Sequence, residues 1–259
     1  MSAYFRAFSV ELRRSLLSGS SLVMLLLLVA WQFFNVLFNI LSNTFELESW
    51  VTLLDWGNNG WFCDMLLVIA TIGYAWSYCQ DSECGYRDQA LGRVGIGAYC
   101  LSKILAVILS AFFTAVVAVG AFALFWYVTD GPVTDPENVG VSGYLRLVAE
   151  GKTGLYLLFR LCHTGLICAW AAVTGLAVSA FVRNTYITIL SPLLLYMILN
   201  VGLRLAGVTF LSRWYPKRIF FEDAIAGNDV ASFLWSMFLI LDWIFLAGYV
   251  FYRKVERRR

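Results

Sequence analysis

Residues 80–103 read QDSECGYRDQALGRVGIGAYCLSK. Apolar sequence stops at Tyr78 and Cys79 and resumes at Ile104. Between these limits fall Asp81, Glu83, Arg87, Asp88, Arg93 and Lys103. A hydrocarbon layer does not accept that density of charge. The stretch therefore reads as a polar island on one side of a membrane, a solvent-side structure that a partner can grip.

The rest of the chain supports a membrane setting. Of 259 residues, 60% are hydrophobic and 14% charged, with a mean hydropathy of +0.73. Soluble domains carry about 25% charged residues. The composition is that of a polytopic membrane protein. A net charge of +2 gives no bulk case for binding nucleic acid.

Six segments are long and apolar enough for a hydrocarbon core of ~30 Å: 21–41, 60–78, 102–128, 155–182, 186–205 and 231–252. Backbone amides in lipid must bond within their own segment, so each is expected to be a helix. The first is too long for the apolar part of a signal peptide and is expected to be retained. Ahead of it, Phe5, Phe8, Leu12 and Leu16 share one helical face while Arg6, Arg13 and Arg14 point away. That pattern predicts an interfacial helix within residues 1–20. The expected fold class is thus all-α polytopic: one interfacial helix and six transmembrane helices in a single domain.

Lys and Arg set the expected orientation. Arg6, Arg13 and Arg14, the island, Arg183, and the tail from Arg253 to Arg259 fall on one side of a six-span chain. Residues 42–59 carry Glu46, Glu48 and Asp55 without a base. The positive-inside rule then places both termini in the cytoplasm of a multi-pass cell-membrane protein. Residues 206–230 break the trend, with Arg213, Lys217 and Arg218 beside Trp214, Tyr215, Pro216, Phe220 and Phe221. This is read as an outer interfacial loop whose basic side chains snorkel to headgroups. The abundant Trp and Tyr are read as interfacial belts.

The island and its flanks resemble the loop between the second and third spans of ABC-2 type transporter permeases. Glu83 and Gly85 stand at the family's E-x-G positions, Arg93 at its basic position, and Ser102 and Lys103 at the S-K that opens the third helix. Tyr86 replaces the usual Thr, and Gly95 and Gly97 stand where a small residue and a second Arg are common. The Arg213-Trp214-Tyr215-Pro216 loop and the ending from Gly248 to Glu256 are also similar to the family. The resemblance implies a type V-like permease architecture. It implies that Glu83, Gly85, Arg87, Arg93, Ser102 and Lys103, within a cytoplasmic coupling region over residues 80–101, meet a cytoplasmic ABC ATPase subunit. It also implies a second permease subunit, identical or related, and a hydrophobic or amphipathic cargo such as a peptide, a lipid-like molecule or a drug. Independently of any family, Gly85 on one side and Gly92, Gly95 and Gly97 on the other are spaced to bound a short helix with tight turns at both ends.

Catalytic motifs are missing. Gly151-Lys152-Thr153 resembles the end of a phosphate-binding loop, but that loop needs a glycine where Arg146 stands. ATP and Mg are therefore expected on a partner chain, with no cofactor on this one. His163 is the single histidine, too few for a membrane zinc protease, and no GxSxG occurs. The six cysteines form no CxxC pair and read as space-fillers rather than a metal site. Enzyme chemistry is not expected.

Ionisable residues inside the spans are the remaining signal, because each should have a partner or a water path. Arg160 and His163 lie one turn apart on the fourth span, and Asp64 lies on the second, which suggests an Asp64–Arg160 pair. Asp242 sits mid-span in the sixth, with Asn200 of the fifth as a candidate partner. These residues either line a path or fasten helices. If they line a path driven by a gradient, the chain is instead an ion- or proton-coupled secondary carrier.

Overall fold

The computed structural model describes residues 3–42, 49–59, 64–131, 144–205 and 228–257. Every regular element among them is a helix: α1 (Ala3–Leu16), α2 (Gly19–Ser42), α3 (Trp50–Asn59), α4 (Met65–Ile72), α5 (Ser77–Glu83), α6 (Tyr86–Val94), α7 (Ile96–Asp130), α8 (Leu145–Ala149), α9 (Thr153–Ser179), α10 (Thr185–Leu205) and α11 (Asp229–Glu256). By length and composition, five of these can cross a membrane: α2, α7, α9, α10 and α11. The expected outer loop over 206–230 lies almost wholly outside the described residues.

Small residues place α9 at the centre. Its apolar stretch is 78% buried, against 22–39% for the other four. A Cβ added at Gly165 would stand 2.7 Å from Phe112 of α7, and one at Gly175 would stand 3.1 Å from the Thr188 carbonyl of α10. Without side chains at these points, neighbouring helices approach closely, which is how helices associate where lipid removes the usual hydrophobic drive. Ala169, Ala171 and Ala172 extend the same buried surface.

The α10 helix carries Pro192 in its interior. Proline has no N–H, so the Thr188 carbonyl loses its helical donor. The Ser191 hydroxyl donates to that carbonyl at 2.8 Å. The local sequence thus repairs the break it creates, as a low-dielectric setting requires.

The second expected span needs correction. Residues 60–63 lie outside the described residues, and the remainder of 60–78 is not one continuous helix: α4 covers Met65–Ile72, residues 73–76 turn, and α5 begins at Ser77. The preceding segment, read as loop up to residue 59, contains α3. Asn35 Nδ2 donates to the Gly57 carbonyl at 3.1 Å, and Ser20 Oγ donates to the Gly73 carbonyl. Low numbers on α2 thus meet high numbers on α4, and high numbers meet α3, so the two short helices run antiparallel to α2 in succession. Within residues 64–78 the helix is interrupted at 73–76.

The α1 helix forms as the spacing predicts. Glu11 and Ser15, one turn apart, are buried, while Phe5 and Leu16 are exposed. The inward stripe is polar because it meets charge on α5 and α7. The outward stripe keeps its apolar side chains, as do α2, α10 and α11, where Leu26, Ile198 and Phe238 are exposed. Such faces suit contact with lipid.

Candidate functional site

The island folds as the end of α5, all of α6 and the first turns of α7. Two glycines in left-handed or related backbone set the corners: Gly85 has φ 69° and Gly95 has φ 80°. Nothing lies within 4 Å of a Cβ built on either, so backbone conformation and not space demands glycine there. The α6 helix between them has no buried residue. Glu83 and Arg93 are exposed, and Arg87 is half-buried and paired with Asp88 at 2.7 Å. A cavity of 390 Å³ under α6 is lined by Tyr78, Arg87, Leu91 and Val255 among others.

Ser102 and Lys103 do not share that exposed surface. Both are fully buried. Their expected place on a docking face is therefore corrected: they point into the protein. Lys103 Nζ donates to Glu11 Oε2 at 3.1 Å and to Asp81 Oδ2. Arg14 bonds the other oxygen of each carboxylate, Glu11 Oε1 at 3.2 Å and Asp81 Oδ1 at 3.1 Å. Tyr74 donates to Glu11 at 2.9 Å and Tyr99 to Asp81 at 3.2 Å.

Two acids and two bases thus alternate in a closed ring that joins α1, α5 and α7. Buried charges are tolerated when paired and hydrogen-bonded, and this ring meets both conditions. Burial alone would lower the Arg14 pKa, but Tyr74, Asp81 and Glu11 outweigh it and hold the pKa above its ordinary value. The ring also reaches α6, because the Arg14 guanidinium lies 4.5 Å from the centre of the Tyr86 ring. Burial, then Glu11, push the Tyr86 phenol up, so it stays a neutral face for that cation.

A second polar cluster lies toward the far ends of α7 and α9. Arg160 is buried and pairs with Asp55 of α3, a partner the sequence reading did not name. His163 is buried beside it and its Nδ1 shares a 2.9 Å hydrogen bond with the Tyr144 hydroxyl. Asp64 is half-buried at the start of α4. Asn200 is half-buried on α10 and Asp242 is exposed on α11.

Glu11, Tyr74, Tyr99 and Tyr144 are site residues that sequence reasoning did not single out. Glu11 is the one acid in an otherwise basic first segment. That oddity was the available signal. Tyrosine in a chain this aromatic carries none.

No family model, curated relative or solved structure matches the chain.

Proposed function

We propose that this chain is the membrane-embedded permease subunit of an ATP-driven exporter of the ABC-2 type. It moves a hydrophobic or amphipathic substrate, while a separate cytoplasmic ABC subunit binds and hydrolyses ATP with Mg. A second permease subunit, identical or related, completes the pathway. The chain does no chemistry of its own, and both of its termini face the cytoplasm.

The observation that carries this reading is mechanical. Exposed α6 is set off by two positive-φ glycines and connects through Tyr86 and Arg14 to the buried ring on α5 and α7. A push on α6 reaches Lys103, which is bonded into a membrane-crossing helix. Charges on α6 can steer docking. Glu83, Arg87 and Arg93 are the residues for that contact; Gly85 acts by shaping the corner, and Ser102 and Lys103 act behind the surface.

The test is co-purification of the tagged full chain with an ATPase subunit, followed by ATP-dependent export from vesicles. Loss of the ATPase from Arg93→Glu and Glu83→Lys variants, with the chain still folded, fits the reading. A chain that never retains an ATPase contradicts it.

One observation favours the secondary carrier. Interrupted membrane helices often bracket ion or substrate sites. Here the helix over residues 64–83 is interrupted at 73–76, with ion pairs at Asp55 before it and Asp81 after it. Transport driven by a proton or sodium gradient without ATP would decide for that reading.

A further inference from the structure

Asp242 is the one acidic residue within the apolar run of α11, and its side chain is on the outer face of the helix. Twelve residues separate it from Val230 and ten from Tyr252, or ~18 and ~15 Å along the axis. It therefore sits at the middle of a membrane-crossing helix and faces away from the bundle. A lone carboxylate there is costly unless something neutralises it.

The groove beside it shows what fits. Between α7 and α11 lies a space of 620 Å³, lined by Leu101, Ile104 and Ile108 on one side and Leu241, Phe245 and Tyr249 on the other. The floor is Gly248, which lets α11 approach Ile104; a Cβ there would stand 3.4 Å from that side chain. The volume is in the range of small-molecule sites. Asp242 directly follows Leu241 and lies one turn from Phe245, so it stands at the rim. Phe245 and Tyr249 are exposed and offer ring faces beside it.

The chemistry selects the occupant. A metal ion or a primary ammonium would have to shed its water shell to reach this depth. Among the described residues, a second copy of the chain offers no spare cation at this depth: Lys103 and Arg160, the basic residues within the candidate membrane helices away from their ends, are both buried in ion pairs. A cation that spreads its charge over an apolar body meets every constraint. It partitions into lipid, fills the groove, presents charge to the aromatic faces and neutralises the carboxylate.

We infer that the groove between α7 and α11 binds lipophilic, charge-delocalised organic cations, with Asp242 as their counter-ion. This rests on the reading that the chain moves amphipathic substrates and names their class. The binding itself needs no ATPase.

The experiment is equilibrium binding of tetraphenylphosphonium to the purified full chain in lipid nanodiscs. The wild type should bind it saturably, and Asp242→Asn should weaken binding by at least about tenfold, while Asp242→Glu keeps it. Leu101→Trp, which fills the groove from its exposed wall, should weaken it too. Tetraphenylborate, of the same shape and opposite charge, should not bind saturably. Equal affinity of Asp242→Asn and wild type overturns the inference, as does equal binding of tetraphenylborate. A change in the number of chains per particle in Asp242→Asn, with tetraphenylphosphonium binding unchanged, also overturns it and makes this face a subunit contact. Because no ATPase is present, failure here leaves the exporter reading to its own test.

Discussion

Arg14 of α1 and Lys103 of α7 hold the same two carboxylates, Glu11 and Asp81, from opposite sides. Each base uses both acids, and each acid uses both bases. Helix α1 is thereby fastened to α7, one of the helices long and apolar enough to cross a membrane. Removing a single member leaves an uncompensated buried charge.

The first prediction concerns that balance. Lys103→Met should destabilise the protein by ~3–5 kcal/mol, because two buried carboxylates then share one cation. Glu11→Gln combined with Lys103→Met removes one charge of each sign and should recover much of the loss. Thermal unfolding of the purified variants checks both. If the double variant is as unstable as the sum of the singles, the charges do not act as a unit.

A second prediction concerns the corner at Gly85. Replacing it with Ala forces an L-residue into left-handed backbone, at roughly 1–2 kcal/mol. Asn tolerates that backbone better than Ala and should cost less. Space around the site is open, so the effect should be confined to α6. Hydrogen exchange of residues 86–94 should speed up in Gly85→Ala and less so in Gly85→Asn, with α9 unchanged.

These two sites differ in how far the sequence revealed them. Glycine spacing located both corners of α6, because backbone conformation is a local property. The membrane character, and five of the six expected segments as helices long and apolar enough to cross a membrane, followed from apolar run length for the same reason. The inward face of α1 did not follow. Its hydrophobic stripe was read as a lipid face, which leaves Phe5 and Leu16 exposed, but nothing in the pattern showed that the bundle takes Glu11 and Ser15. In a membrane the usual inference from apolar to interior loses force. The Arg160–Asp55 pair was also hidden, because Asp55 lies on α3, in a segment read as loop.

That pair supplies a third prediction. A double-mutant cycle of Asp55→Asn with Arg160→Gln should show coupling on the order of 1–3 kcal/mol. The cycle of Asp64→Asn with Arg160→Gln should come close to additive. Chemical unfolding in detergent gives both values. The reverse ranking would put Asp64, not Asp55, against Arg160.

Packing at the centre of the bundle gives a fourth. Gly165→Ala drives a Cβ into the Phe112 ring, 2.7 Å away, and should cost about 1–3 kcal/mol as the ring is displaced. Gly154→Ala, at the start of the same helix with nothing within 4 Å, should be close to neutral. Melting temperatures of the two variants separate close helix contact from a general intolerance of substitution in α9.

The proposal that an external motor works on α6 requires this helix to face the cytoplasm. Cys84 is exposed beside Gly85, while Cys79, Cys100 and Cys168 are buried. Burial also pushes the Cys79 thiol up, which slows its reaction further. A full chain with Cys84 as its sole cysteine can therefore be probed with a membrane-impermeant maleimide, in intact cells and in inside-out vesicles. Modification in the vesicles alone is the predicted result. Modification in intact cells would put α6 on the outer side and contradict the account.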